Sequence, residues 1–446
     1  MFKLNFMSNI MTIAENNKKL SRLWLFQSVG ALALSGFFAI FLVMARSPQI
    51  GKLLPYKDFF KTSLTIHVNL SVLIWLTSII CTIFATNTKF LKAGYAGLVL
   101  CATGSVIIAG SIFDISAEAF LNNYIPMLNS DIFKLGIIIY FAGFIIASFQ
   151  ALQMNIQNKI LGYFNISSFF IIIAGFITLA LTLQNLELPK NKDLYDFSDY
   201  YEKLFWGFGH MIQFLYVNGM LMALFLIIKI KESKFTTTIK ISCFLLNLIF
   251  ALTGIYIIVN FDVTSFEYVN NFTRQMIMFA GIAPVLALFI IIPAIRNLAS
   301  TRPQRNAVIW AMILFAAGGV ISMMINGVNT IIPAHYHGSI IGISLSLMAL
   351  TYALMPKLGY GEIKGQMANM QPILYGSGQL LHIIGFAISG GYGAMRKAPG
   401  MELPVEAKLY MGLMGIGGLI SIIGGLFFVI IIFKCVTRGV NTNQEF

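Results

Sequence analysis

The chain has 446 residues, of which 58% are hydrophobic and only 11% are charged. A soluble protein of this length needs more charged surface than that, so the composition excludes a soluble globular protein and indicates a membrane protein. In a membrane protein, the formal net charge of +13 is informative through the distribution of basic residues among the loops. We expect no nucleic-acid partner.

Apolar runs of about 20 residues, the length that crosses roughly 30 Å of hydrocarbon, recur along the whole chain. The polar N-terminus lacks the short apolar core and cleavage site of a signal peptide, so the first run is expected to remain as a helix. We therefore predict an all-α membrane protein, with residues 1–446 forming one integral domain. Its twelve transmembrane helices are predicted at 22–45, 61–86, 94–115, 132–153, 160–184, 203–230, 238–260, 275–297, 307–328, 332–355, 371–394 and 408–434.

The loops predict the orientation of these spans. When alternate loops are assigned to the cytoplasm, the larger share of lysine and arginine lies on the side that carries both termini. The positive-inside rule then places both termini in the cytoplasm, in a bacterial cytoplasmic membrane or the inner membrane of an organelle. The largest outer loop, 185–202, is acidic and aromatic. It is either a solvated connector or a lid or docking surface for a basic partner.

The four cysteines do not form a metal-binding pattern. Cys81, Cys101, Cys243 and Cys435 lie in or at the ends of apolar segments, and none belongs to a CxxC pair. We interpret them as small packing residues.

Four of the five histidines fall in one predicted layer. His67, His210, His335 and His337 each lie a few residues into a span that begins on the outer side. Since a helix rises about 1.5 Å per residue, the four imidazoles are expected at similar depth. A histidine inside a membrane is costly and usually faces the bundle interior. The sequence therefore predicts a shared polar site in the outer half of the membrane.

The spacing of His335 and His337 restricts what they can bind. Residues two apart on a helix point about 200° apart, so the two rings face opposite sides. They cannot both bind one metal ion, but each can ligate a different planar cofactor such as haem, for which imidazole is a standard axial ligand.

These residues resemble subunit I of the haem-copper oxidase superfamily, which includes cytochrome c oxidases, quinol oxidases and nitric oxide reductases. That family carries a histidine in helix 2, a G-H motif in helix 6 and an H-x-H motif in helix 10 of twelve. Here these are His67, "GFGH" ending at His210, and "AHYH" ending at His337. The resemblance implies two haems, expected to be of b type, with one copper or non-haem iron. It also implies electron transfer to O2 or NO, with cytochrome c or quinol as donor through a partner subunit.

The resemblance implies a role for individual residues. His382 is not at a ligand position of the family, so we interpret it as a structural residue or a polar residue at a haem edge. The implied roles are axial ligation of a low-spin haem by His67 and His337, axial ligation of a high-spin haem by His335, binding of the second metal by His210, and binding of haem propionates by Arg396 and Lys397.

The chain departs from the family where the second metal is completed. The family has two adjacent histidines at helix 7, whereas residues 255–276 contain none. Asp262 and Glu267 are conceivable replacements, because carboxylate with imidazole can hold iron. The alternative is that both are simply solvated.

Other polar positions give no support for proton delivery. The family's tyrosine four residues after the helix-6 histidine is Phe214 here. Gln213, Asn218 and Asn69 are the polar residues nearest the predicted site, and we interpret them as partners in hydrogen bonds between helices.

Three hypotheses follow for the function. The first is a divergent respiratory oxidoreductase that reduces O2 or NO. The second is a non-catalytic dihaem b-type cytochrome in electron transfer, gas sensing or oxidase assembly, which needs only the haem ligands and the basic pair. The third is a transporter with unrelated histidines, which the off-centre layer disfavours because transporters bind substrates near the midplane.

Overall fold

The computed structural model describes residues 13–45, 59–153, 158–189, 194–297, 301–396 and 403–438. Within these ranges, twelve helices are long and apolar enough to cross a membrane, which confirms the predicted number of spans. They are α1 (Glu15–Ala45), α2 (Phe59–Ala85), α3 (Leu91–Gly110), α4 (Asp131–Ser148), α5 (Lys159–Asn185), α6 (Leu194–Ile227), α7 (Lys234–Asn260), α8 (Phe266–Ala294), α9 (Arg302–Ser322), α10 (Ile331–Leu354), α11 (Gln366–Gly391) and α12 (Val405–Arg438).

The largest differences between a predicted and an observed helix start are at α6 and α8. Helix α6 begins at Leu194, so the second half of the predicted loop 185–202 is helical. Helix α8 begins at Phe266, where the Ser265 side chain accepts a hydrogen bond from the backbone N–H of Tyr268 and caps the helix. Hydropathy locates only the apolar part of a helix, whereas capping residues set where it starts.

Helices α2, α6 and α10 form the centre of the bundle. In their most apolar stretch 83%, 89% and 72% of residues are buried, compared with at most 50% in each of the other described helices. The outer helices expose apolar side chains such as Val106 and Phe289, as contact with lipid requires. The three central helices are the ones that carry His67, His210, His335 and His337, so the predicted site lies in the interior.

Glycines bring neighbouring helices into close contact. A Cβ atom added to Gly97 in α3 would lie 2.7 Å from the backbone nitrogen of Ala147, at the end of α4. One added to Gly385 in α11 would lie 2.5 Å from the backbone nitrogen of Met414 in α12. Small residues at such positions allow tight packing of helices in a membrane.

A short hairpin lies between α3 and α4. Its strands, β1 (Ala119–Phe120) and β2 (Met127–Leu128), pair antiparallel, with Ala119 opposite Leu128. The Asn122 side chain accepts hydrogen bonds from the backbone N–H groups of Tyr124, at 3.1 Å, and Ile125, at 2.8 Å. This side chain fixes the turn that points Tyr124 into the bundle.

The cysteines have the surroundings expected of packing residues. All four thiols are free and buried. The Sγ atom of Cys101 contacts the backbone carbonyl of Tyr140 at 3.6 Å, in the tight interface between α3 and α4.

Candidate functional site

A large cavity lies inside the bundle, with walls from the three central helices and from parts of α1, α8, α9, α11 and α12. Its volume is about 2400 Å³, more than twice the roughly 1000 Å³ at the upper end of ordinary small-ligand pockets. All five histidines line it: His67, His210, His335, His337 and His382. The structure therefore brings together the four histidines that share a predicted layer and adds His382 to them.

Every one of these imidazoles is oriented by a backbone carbonyl. In each ring the Nδ1 atom lies 2.7–2.9 Å from a backbone carbonyl oxygen. The pairs are His67 with Ser35 (2.9 Å), His210 with Trp206 (2.7 Å), His335 with Gly318 (2.8 Å), His337 with Pro333 (2.8 Å) and His382 with Met414 (2.9 Å). A carbonyl oxygen only accepts, so Nδ1 carries the proton and Nε2 carries the lone pair. This is the tautomer in which a histidine ligates a metal through Nε2.

His67 lies two residues before a widened turn in α2. Residues Asn69–Ile74 form a π-helical turn, a feature that is frequent at functional sites. The Ser71 hydroxyl donates to the backbone carbonyl of His67 at 2.7 Å, and the Ser35 hydroxyl lies 3.0 Å from the imidazole Nδ1. Helix α1 thus holds the His67 ring in place through both the carbonyl and the hydroxyl of one serine.

The two histidines of the H-x-H motif contact different neighbours. His335 hydrogen-bonds to α9 through the Gly318 carbonyl. The His337 ring faces α11, with its centroid 5.0 Å from that of His382 and 5.8 Å from that of Phe386. The rings therefore diverge from α10, as their spacing predicts.

Gly318 makes the His335 contact possible. A Cβ atom added there would lie 2.4 Å from the backbone nitrogen of Ser339 and 2.6 Å from its hydroxyl. The absence of a side chain lets α9 approach α10 closely enough for its carbonyl to reach the His335 ring.

His210 has a different environment from the other histidines. Its Nε2 atom lies 3.1 Å from the hydroxyl of Tyr124, and its ring centroid lies 4.9 Å from that of Trp206 and 5.5 Å from that of Phe272. Burial raises the pKa of the Tyr124 phenol, so the hydroxyl stays protonated and donates to the Nε2 lone pair. The nitrogen that would bind a second metal already has a hydrogen-bond partner.

The conceivable replacement ligands do not reach this site. Asp262 and Glu267 are exposed, and neither lines the cavity. The Asp262 carboxylate accepts hydrogen bonds from the Thr264 hydroxyl, at 2.6 Å, and backbone N–H, at 2.7 Å, which lower its pKa. Glu267 lies in the first turn of α8, where a carboxylate complements the helix dipole. The solvated alternative therefore describes both residues better than the ligand hypothesis.

Among the described residues, no three histidine, cysteine, aspartate or glutamate side chains are grouped closely enough to hold a metal ion. The donor set that these residues place around His210 therefore does not fit a second metal.

Arg396 lies where an anion can reach it. It lines the cavity, and its Nη1 atom donates to the Asn123 side-chain oxygen at 2.6 Å. Its Nε–H is buried and has no hydrogen-bond partner, so the guanidinium keeps a donor for a carboxylate. Lys397 lies outside the described residues.

The remaining polar residues divide between the cavity and the helix interfaces. Gln213 lines the cavity. Asn218 donates to the Ser167 hydroxyl of α5 at 3.0 Å, and Asn69 donates to the Pro126 carbonyl of the hairpin at 2.8 Å. The Asn218 bond joins two helices, whereas the Asn69 bond joins a helix to the hairpin. Phe214 is fully buried in the apolar core.

The family of the chain follows from a match to a protein-family model. The model for "Cytochrome C and Quinol oxidase polypeptide I" matches residues 19–420. This chain belongs to that family. The fold is similar to that of a heme-copper terminal oxidase dimer solved by cryo-EM. The two chains match with a TM-score of 0.73 and 16% sequence identity, over 96% of this chain and 85% of the oxidase chain.

Two similar proteins are described only as uncharacterized. A protein of Rickettsia prowazekii (strain Madrid E) is 29% identical, covering 97% of this chain and 99% of its own length. A protein of Aquifex aeolicus (strain VF5) is 26% identical, covering 78% of this chain and 88% of its own. The chain is thus an integral, multi-pass member of the oxidase subunit I family, and a transporter is not indicated.

The residues of the cavity fit haem, the group that oxidases of this family normally bind. Imidazoles that carry the lone pair on Nε2 meet an apolar interior, and the partnerless Arg396 Nε–H offers a donor for a propionate. Sequence reasoning missed Ser35, Asn123 and Tyr124, because each acts through a contact between segments far apart in the chain.

We expect Gly318→Ala to weaken haem retention at His335 by about tenfold, the lower end of effects seen when outer-shell partners of metal ligands are lost. The added methyl pushes α9 from α10 and lengthens the bond from the His335 ring to the Gly318 carbonyl. Haem per chain and the amplitude of CO binding in the reduced protein measure this. The control is Gly412→Ala, since a Cβ there meets nothing within 4 Å; equal values for both variants would contradict the expectation.

Proposed function

We propose that this protein is a dihaem membrane cytochrome built on the oxidase subunit I fold, with one six-coordinate haem and one haem that keeps an open position for a gas. The observation that carries the proposal is that all five histidines line one large cavity, each with its Nδ1 hydrogen-bonded to a backbone carbonyl. Histidines that only stabilise helix packing do not need to line a common cavity. Their arrangement around one apolar cavity therefore favours ligation of a cofactor.

We assign the axial ligands from this geometry together with the family pattern. His67 and His337 hold the low-spin haem, and His335 holds the high-spin haem. Arg396 holds a propionate, and Lys397 is proposed as its partner. When bound, haem supplies reversible one-electron redox chemistry and an axial position for O2 or NO.

The chain's own groups set the conditions for that chemistry. The Ser35 and Gly318 carbonyls orient the rings of His67 and His335 and make them better donors to iron. The mostly apolar lining lowers the local dielectric constant around the ligands, which strengthens charge interactions such as that of Arg396.

The surroundings of the protein follow from the same proposal. We place both termini in the cytoplasm, in a bacterial cytoplasmic membrane or the inner membrane of an organelle, so the cavity lies toward the outer face. Electrons then arrive from cytochrome c or quinol through a donor-binding partner subunit. Electron transfer, gas sensing and support of oxidase assembly are the roles open to such a cytochrome.

Respiratory reduction of O2 or NO is the second candidate function. His335 and His210 line the same cavity, which favours this candidate. A gas bound next to His335 would share that cavity with His210. The candidate is disfavoured by the donor set at His210, which does not fit a second metal. Steady consumption of O2 or NO by the purified protein with a reduced donor would support this candidate over the first.

Haem content tests the proposal. The full chain, purified in detergent, is expected to contain two haems per chain by the pyridine haemochrome assay, with a b-type reduced-minus-oxidised spectrum. A protein that folds, as shown by its helical circular dichroism, and yet contains no haem would overturn it.

A further inference from the structure

The hairpin between α3 and α4 places the aromatic side chain of Tyr124 next to His210. The Tyr124 ring centroid lies 5.0 Å from that of His210 and 5.7 Å from that of Trp206. The Tyr124 hydroxyl lies 3.1 Å from the His210 Nε2 atom. The ring centroid of Phe272, in α8, lies 5.5 Å from that of His210. Three aromatic side chains therefore pack against the His210 ring at this wall of the cavity.

The G-H motif accommodates this loop. A Cβ atom added to Gly209 would lie 2.1 Å from the ring of Tyr124, a distance at which something must move. Only glycine leaves room for the phenol to pass the α6 backbone and reach the next residue, His210. Gly209, the glycine of the G-H motif, thus provides the space in which the Tyr124 ring packs.

The loop is fixed independently of His210. The Asn123 backbone N–H donates to the Glu202 carboxylate at 2.9 Å, and its side-chain amide donates to the same carboxylate. Arg396 donates to the Asn123 side-chain oxygen at 2.6 Å. The hairpin is therefore tied to α6 and to the end of α11, and Tyr124 is held in position by its neighbours.

The bonding capacity of His210 is used up by this arrangement. Its Nδ1–H donates to the Trp206 carbonyl at 2.7 Å, and its only lone pair, on Nε2, accepts from the phenol. We propose that Tyr124 takes the position of the second metal, so that a Tyr124–His210 hydrogen-bonded pair forms this wall of the cavity and the chain binds no second metal. The inference rests on the proposed function for the identity of the cavity as a haem site.

Metal content is the first test. The full chain is purified from cells grown with added copper, and iron, copper and haem are measured in one sample. We expect iron equal to haem and copper at background, with the same result for His210→Ala. One copper or one non-haem iron per chain that is lost in His210→Ala would overturn the inference. A sample without haem would refute the proposed function instead, and its copper and iron counts would still decide the inference.

A double-mutant cycle is the second test. Tyr124→Phe and His210→Ala are made singly and together, and the melting temperature is measured for each. Loss of one buried hydrogen bond is expected to lower it by about 2 °C, and the double variant should lose less than the sum because both changes break the same bond. Tyr140→Phe is the matched control. The Tyr140 hydroxyl lies 2.6 Å from the Thr77 hydroxyl, and Tyr140 does not line the cavity. Its loss of melting temperature should therefore add fully to that of His210→Ala. Additive losses for Tyr124→Phe as well would overturn the inference.

Discussion

Replacing His67 with alanine is expected to abolish the low-spin haem signal of the protein while the CO-binding haem remains. The imidazole is the ligand that α2 contributes, and its Nε2 lone pair is available because Nδ1 is tied to the Ser35 carbonyl at 2.9 Å. Alanine removes the ligand and one hydrogen bond to that carbonyl, which costs about 0.5–1.5 kcal/mol of stability, since the carbonyl lies within α1 and keeps its bond along the helix. Electron paramagnetic resonance of the oxidised protein measures the low-spin population directly.

The matched control is Cys81→Ala, further along α2. Cys81 is a buried, free thiol that does not line the cavity, so its loss should leave both haem signals in place. A full low-spin signal in His67→Ala would refute the ligand assignment. Loss of the CO-binding haem with the low-spin signal retained would mean that the two roles are exchanged.

Replacing His335 with alanine is expected to give the opposite pattern. His335 is the ring of the H-x-H motif that bonds to α9, through Gly318, and it is proposed as the sole protein ligand of the high-spin haem. Its loss should reduce CO binding by more than about tenfold, since even outer-shell partners have effects of that size. The low-spin signal should persist, because His337 contacts α11 instead.

The CO difference spectrum of the reduced variant measures this result. Ser346→Ala is the control on α10, since Ser346 is fully buried, donates to the Ile343 carbonyl at 2.6 Å and lies outside the cavity lining. Unchanged CO binding in His335→Ala would assign the open haem to another ligand.

The number of spans was predictable because the cost of exposing polar backbone in lipid imposes long apolar runs. The placement of four histidines on one cavity was predictable for a related reason: helical rise converts sequence position into depth. Their tautomers were not, because the carbonyls of Ser35 and Gly318 come from other helices. No local pattern reports such a contact.

The surroundings of His210 depend on contacts that no local sequence pattern indicates. Asp262 and Glu267 follow α7 closely in the chain, yet Asp262 lies in the exposed loop before α8 and Glu267 in the exposed first turn of that helix. Tyr124 went unnoticed because it lies 86 residues from His210, in a hairpin whose turn depends on one asparagine. Proximity along the chain was a poor guide to proximity in the bundle.

The hydrogen bonds of the histidines also explain how the bundle tolerates them. A neutral imidazole whose N–H has an acceptor leaves no unsatisfied donor in the membrane. That requirement would hold for a purely structural histidine as well. The feature that favours ligation is the shared cavity, which packing alone would fill with side chains.

Spin-state counting of the oxidised, purified protein tests the central claim most directly. Electron paramagnetic resonance calibrated against total haem should show one low-spin haem with two imidazole ligands and one high-spin haem per chain. Two low-spin haems, a single haem, or no haem in a folded protein would contradict the account of His67, His335 and His337 given above.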